Sequence, residues 1–221
     1  MIYNVFISHS WTYSDSYEKL LNLLNSDYTF NYKNYSVPKN NPIHNAPYDY
    51  QLKNAIQEKM KHASCILILA GVYSTYSKWI NIEIEIAKKY QKPIVIHARD
   101  AYEDTYNILK QTAHYGIMHC YSGSVEMAKR YIDIGFEISL AGPVTFKNAK
   151  VPKEVAQSID IEHLMIETDC PYLTPHPFRG KLNEPANVVY IAQEIAKLKN
   201  MEIEDVARIT TFNAKKMFGI K

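Results

Sequence analysis

The chain is short of net charge, of cysteine and of long apolar runs, and each shortage removes a class of function. Its 25 lysines and arginines against 23 aspartates and glutamates leave a formal charge of +2. That is too small for a general electrostatic grip on a polyanion, so phosphate binding has to be local. Three cysteines, Cys65, Cys120 and Cys170, show no paired spacing, which fits reduced thiols in a cytosolic setting and not a disulfide framework. The longest apolar run, near Cys65–Val72, is too short to span a bilayer. The opening Met1-Ile2-Tyr3-Asn4 carries neither a basic stretch nor a long apolar one, so the expectation is a soluble, cytoplasmic protein with no membrane partner. Repeats, low-complexity tracts and a Pro/Gly-rich linker are also missing, and their absence favours one continuous α/β body.

What is present is an alternation of strand and helix signals around an ordinary apolar content of 47%. Strands are expected at Tyr3–Ile7, Phe30–Val37, Cys65–Ala70, Ile94–Ile96, Gly116–Met118, Phe136–Ser139 and Leu164–Ile166. Helices are expected at Ser14–Leu24, Asp49–Lys61, Trp79–Tyr90, Tyr102–Thr112, Ser124–Ile134, Pro152–Ile159, Ala186–Lys199 and Ile203–Met217. In the first helix Tyr17, Leu20, Leu21 and Leu24 form one apolar face, and Ser124 is a good N-cap for a later one. Pro38–Pro47, with its prolines and asparagines, reads as a loop. The fold class is α/β, a parallel βα repeat. Seven strands are one fewer than a closed (β/α)8 barrel needs, unless Pro38–Pro47 supplies a short one.

Polar clusters end three of these strands: Ile96-His97-Ala98-Arg99-Asp100, Met118-His119-Cys120-Tyr121-Ser122-Gly123 and Glu167-Thr168-Asp169-Cys170-Pro171-Tyr172-Leu173. Parallel βα folds gather ligand groups at the carboxyl ends of their strands, so two imidazoles and a carboxylate are expected on one rim. Neutral imidazole and carboxylate suit Zn, Mn or Mg, and an Asp beside a bound water can act as its base. Glu167, two residues before Asp169, reads as a supporting carboxylate or a salt bridge to Arg99 or Arg179. His9 ends the first strand, where a loop hydrogen bond and a metal-ligand role both remain open. Glu83 and Glu85 share a helix on which carboxylates are usually solvated. His176, in the loop after Pro175, is a candidate for substrate phosphate.

From Pro93 onward these clusters, with Gly135-Phe136-Glu137-Ile138-Ser139, Gly142-Pro143-Val144-Thr145-Phe146, Arg179-Gly180-Lys181-Leu182-Asn183-Glu184-Pro185 and Thr211-Phe212-Asn213-Ala214, resemble the second half of TatD-type metal-dependent deoxyribonucleases. The resemblance implies half of an amidohydrolase-like (β/α)8 barrel, with His97, His119 and Asp169 as metal ligands and His9 as a further candidate. It also implies Asp169 as general base, Arg99, Arg179 and His176 near the substrate, and DNA or another phosphoester as that substrate. The family's opening His-x-His is absent before residue 93, Trp11 standing where a second imidazole after His9 belongs, and no strand-end bridging Glu is evident. A metal site half absent implies impaired hydrolysis.

Residues 1–96 resemble a different family, the bacterial TIR-like domains of Thoeris anti-phage systems. The resemblance rests on Asn4-Val5-Phe6-Ile7-Ser8-His9-Ser10-Trp11, the strand Cys65–Ala70, Ser77-Lys78-Trp79-Ile80-Asn81-Ile82-Glu83-Ile84 and Lys92-Pro93-Ile94-Val95-Ile96. It implies a flavodoxin-like half, with Glu83 as catalytic residue of NAD cleavage and Phe6, His9 and Trp79 near the nucleotide. Both resemblances use the strand Pro93–Ile96. The expected organisation is therefore a fusion, a TIR-like segment at 1–92 joined to a TatD-like half-barrel at 93–221. A chimeric scaffold without catalysis is the remaining alternative.

Overall fold

A computed structural model describes residues 2–9, 15–26, 30–37, 43, 48–70, 78–98, 100–112 and 114–220. Trp11, Arg99 and, apart from Ile43, the Pro38–Pro47 stretch lie outside the described residues. The chain divides into two compact units, Met1–Tyr115 and Gly116–Lys221.

The first unit runs β1 (Tyr3–Ser8), α1 (Asp15–Ser26), β2 (Tyr32–Asn34), α2 (Asp49–Lys61), β3 (Cys65–Ala70), α3 (Lys78–Lys89), β4 (Ile94–Ala98) and α4 (Tyr102–Thr112). Its strands pair in parallel in the order β2-β1-β3-β4. That order is flavodoxin-like, and it reverses between β1 and β3, the place where such sheets bind ligands outside their carboxyl ends. Near-continuous apolar strands suit a sheet covered on both faces: Phe6, Ile7, Ile66, Ile68, Ile94 and Ile96 are all buried. On one face α1 lays Tyr17, Leu20, Leu21 and Leu24 against Val5 and Ile7.

β2 is shorter than the expected Phe30–Val37 because side chains take over its ladder. Past Asn34 the backbone N–H of Ile7 donates to Ser36 Oγ at 2.7 Å, and Ser36 N–H donates to Asn34 Oδ1 at 2.9 Å. β4 runs past the expected Ile96 because β3 offers partners as far as Ala70, which places His97 within the strand, opposite Leu69.

The second unit runs β5 (Gly116–Met118), α5 (Val125–Asp133), β6 (Phe136–Leu140), α6 (Val151–Ser158), β7 (Leu164–Ile166), α7 (Val188–Lys199) and α8 (Ile203–Phe218). Here the parallel strands follow chain order, β5-β6-β7, as in a barrel segment. Ser124 caps α5 as expected, its side chain accepting from Met127 N–H at 3.2 Å. α7 and α8 end on left-handed residues, Asn200 and Gly219. Asn213 of α8, buried, donates to the carbonyls of Ile161 and Leu164 at 2.9 and 2.8 Å and so fixes the entry to β7. The fold is thus α/β, a flavodoxin-like half joined to a half-barrel. No helix among the described residues is long and apolar enough to cross a membrane.

Candidate functional site

The ends of β5, β6 and β7 build one polar cluster in the second unit. His119 follows Met118 directly, and the chain then turns through Cys120 at φ 47. Tyr121 N–H donates to Ser139 O at 2.9 Å and Glu167 N–H to Leu140 O at 3.1 Å, so all three strand ends stay in register beyond the strands themselves. Glu167 then receives His119 Nδ1 at 2.5 Å on one oxygen and the Cys120 N–H at 2.6 Å on the other. The Ser139 hydroxyl adds a further hydrogen bond. Burial would raise the Glu167 carboxyl, but these donors outweigh it and hold the group below its ordinary value.

On the other side of the ring, His119 Nε2 lies 3.1 Å from Asp169 Oδ1. Alternation along a strand would have pointed Glu167 and Asp169 the same way. Instead β7 ends at Ile166, Asp169 adopts φ 55, and the two carboxylates approach the imidazole from its two nitrogens. Burial disfavours charge on His119; the carboxylates of Asp169 and Glu167 overcome it and push the imidazole up to about 10. The same burial and the same carboxylates push the Cys120 thiol up, which makes it a poor nucleophile.

A spot that stabilises an imidazolium between two carboxylates favours a cation. Glu167 commits Nδ1 and leaves Nε2 aimed at Asp169, the arrangement by which proteins orient a metal-binding histidine. Among the described residues no group of three or more His, Cys, Asp and Glu side chains is set to hold a metal ion. His119 Nε2 with Asp169 Oδ1 is a two-donor fragment of the right chemistry.

Asn183 anchors the loop that carries Asp169, a role the sequence reading missed. Its Nδ2 donates to Thr168 O at 2.7 Å and Tyr172 O at 2.6 Å, its N–H to Pro171 O at 3.1 Å, and its Oδ1 accepts from Asn187 Nδ2 at 2.9 Å. The Glu-Pro that follows it in sequence gave no hint of these contacts. Nearby, His176 N–H donates to Thr145 Oγ1 at 2.8 Å, and His176, Thr145, Tyr190 and Lys197 line a pocket of about 340 Å³. Arg179 is exposed, with its guanidinium 4.3 Å from the Phe146 ring centre.

In the first unit, Ser8 at the end of β1 donates to Glu83 of α3. Glu83 is therefore not a solvated helix carboxylate: it is 8% exposed and faces the β1/β3 reversal. Burial lifts its carboxyl from 4.5 to about 7, with the Ser8 hydroxyl opposing the shift. His9 stacks on Tyr17 with ring centres 3.8 Å apart, and its Nδ1 lies 3.2 Å from Ile7 O. Its Nε2 is enclosed without a hydrogen-bond partner among the described residues. Phe6, expected beside a nucleotide, is instead in the core at 1% exposure. His97 stands exposed on β4.

The Glu83 shift makes stability depend on pH. The folded state binds the proton more tightly than the unfolded chain, so this stabilisation is complete below pH 4.5 and lost as the pH rises through about 7. The loss amounts to about 3 kcal/mol. Denaturant unfolding between pH 4 and 8 should show a decline in the parent that is smaller by about this amount in Glu83→Gln, the other shifted groups being common to both; parallel profiles would contradict it.

Two families match the chain. Residues 71–219 match the TatD related DNase family, and residues 6–104 match the TIR-like domain of Thoeris protein ThsB. YabD of Bacillus subtilis, an uncharacterized metal-dependent hydrolase, is 55% identical over 141 residues, 62% of this chain and 55% of that protein. YcfH of Escherichia coli K12, also an uncharacterized metal-dependent hydrolase, is 41% identical over 140 residues, 62% of this chain and 53% of that protein. The chain spans about half the length of these curated relatives. Among solved structures, YjjV, a TatD homologue of E. coli K12, is similar with a TM-score of 0.70 at 17% identity, over 98% of this chain and 86% of that one. A TatD family hydrolase of Entamoeba histolytica gives a TM-score of 0.63 at 18% identity, over 99% and 85%. At such identities the likeness establishes the fold.

Proposed function

The chain belongs to the TatD-related DNase family, and from that premise we propose that it is a metal-dependent phosphoester hydrolase acting on DNA ends. The observation that carries this reading is the His119 imidazole held between Glu167 and Asp169. In it His119 and Asp169 would hold one divalent cation, Zn, Mg or Mn, with His97 the further ligand that the family resemblance implies, and His9 is left to its stack on Tyr17. Bound there, such an ion would supply Lewis acidity to a bound water and to the phosphoryl oxygen. Glu167 keeps Nε2 of His119 pointed at the cation side. Asp169, through the oxygen not facing His119, would take the proton from the attacking water. Arg179 and His176 would bear on the substrate phosphates, and Arg99, outside the described residues, is the further candidate that the sequence offers.

The family matches overlap over residues 71–104, a stretch that contains α3 and β4. This overlap supports a fusion, TIR-like over 1–92 and TatD-like over 93–221, made at a strand both parents possess. The reading of one continuous body rests on the same shared strand. Because the His-x-His and bridging Glu are lacking, the half-site takes at most one ion per chain and hydrolyses slowly. Calorimetric titration of Mn²⁺ or Zn²⁺ into the parent should give a single weak site; two tight sites would overturn this reading.

A second reading is favoured by the buried Ser8–Glu83 pair at the β1/β3 reversal: NAD processing or nucleotide binding by the TIR-like half, in anti-phage signalling. NAD turnover lost in Glu83→Ala would support it. With neither activity, the chain is a non-catalytic scaffold.

A further inference from the structure

The turn that carries Asp169 also displays a large aromatic ring to solvent. Tyr172 is 67% exposed, although its backbone is tied down. Its N–H donates to Asp169 O at 3.0 Å, closing a four-residue turn, and its carbonyl accepts from Asn183 Nδ2 at 2.6 Å. Asn183 N–H, donating to Pro171 O at 3.1 Å, brings the neighbouring segment alongside, and on that segment Leu182 is 82% exposed. Two large apolar side chains thus stand in water on a loop that has little freedom to bury them.

The cations of the same loop rest on other rings. Arg179 lies over Phe146 at 4.3 Å and Lys181 over Phe178 at 5.3 Å, and Thr174 Oγ1 donates to the Lys181 carbonyl at 2.5 Å. An exposed flat ring on a fixed backbone, in a loop that also carries positioned cations, is the combination that receives single-stranded nucleic acid: the ring stacks on a base and the cations meet phosphates. A tyrosine has few rotatable bonds to immobilise, so little affinity is lost in ordering it.

We propose that Tyr172 is the stacking platform for the nucleobase next to the scissile phosphate, with Leu182 bordering the base and Arg179 and Lys181 on the phosphates of that strand. This rests on the hydrolase reading and assigns a substrate-binding residue of that site. It makes binding depend on the terminal base being present but not on which base it is, because every base has a π-face.

The test is fluorescence anisotropy in chelator, so that the metal has no part in it, with a short single-stranded oligothymidine and the same oligonucleotide lacking its terminal base. The parent should bind the complete oligonucleotide more tightly. Tyr172→Ala should weaken that binding by about 5- to 150-fold and erase the difference between the two oligonucleotides, while Tyr172→Phe keeps both. The ring being exposed, far-ultraviolet circular dichroism should show all variants folded. A parent indifferent to the terminal base, or a Tyr172→Ala variant that binds like the parent or loses both oligonucleotides equally, would overturn the proposal. So would a parent that binds neither. Chelator-sensitive hydrolysis that survives in any of these cases leaves the hydrolase reading standing alone, and its absence removes both.

Discussion

Asp169→Asn is expected to lower chelator-sensitive phosphodiester hydrolysis by at least about 100-fold. Asparagine preserves the shape and the oxygen that lies 3.1 Å from His119 Nε2, but it removes the charge. Three consequences converge. The cluster loses one of the two carboxylates that raise His119 to about 10, so the preference for a cation falls. The base that accepts the water proton is gone. The amide can present N–H where a metal ligand has to be an oxygen. Glu167→Gln should act more mildly, by about 10- to 100-fold in metal affinity, since it only orients the histidine. Metal content and hydrolysis measured together on both variants separate the two roles. An Asp169→Asn protein with parental hydrolysis would remove this carboxylate from the chemistry.

The strand ends were legible in the sequence because an apolar run followed by His or Asp needs no long-range information. β3, β5 and β7 lie at Cys65–Ala70, Gly116–Met118 and Leu164–Ile166, as the pattern predicts, and His119 and Asp169 follow from them. What the pattern could not carry depends on distant partners. Glu83 looks like any carboxylate on an amphipathic helix until Ser8, 75 residues earlier, meets it in the core. β2 looks like a longer strand until Ser36 diverts the ladder. The orientation of Glu167 and Asp169 depends on a left-handed residue at 169, which neither alternation nor composition signals. Asn183 and Gly142 matter only because a loop folds back on them.

Gly142→Ala is expected to disrupt the second unit and, with it, the placement of Asp169. A Cβ at this position would lie 1.7 Å from the Leu173 carbonyl oxygen, 3.0 Å from its carbon and 3.3 Å from Pro175 N. The obstacle is backbone on both sides, so no side chain can swing away. On one side Gly142 opens a buried helical turn, Gly142–Thr145, whose Thr145 hydroxyl donates to Gly142 O at 2.7 Å and accepts from His176 N–H at 2.8 Å. On the other, Leu173 sits at φ 52 between Tyr172 and Thr174, which are held by Asn183 and by the Lys181 carbonyl. Relieving the clash means breaking one of these sets of hydrogen bonds in addition to shifting the packing. Overpacking alone costs about 1–3 kcal/mol, and the added losses place this substitution at or beyond about 3 kcal/mol. The turn that carries Asp169 should loosen before the whole unit melts, because Leu173 is only four residues downstream of it. Amide exchange should therefore accelerate first at Tyr172 and His176, whose N–H groups are bonded to Asp169 O and Thr145 Oγ1. A variant within about 0.5 kcal/mol of the parent, the range of an ordinary surface change, would mean that the loop does not press against Gly142 as the structure has it.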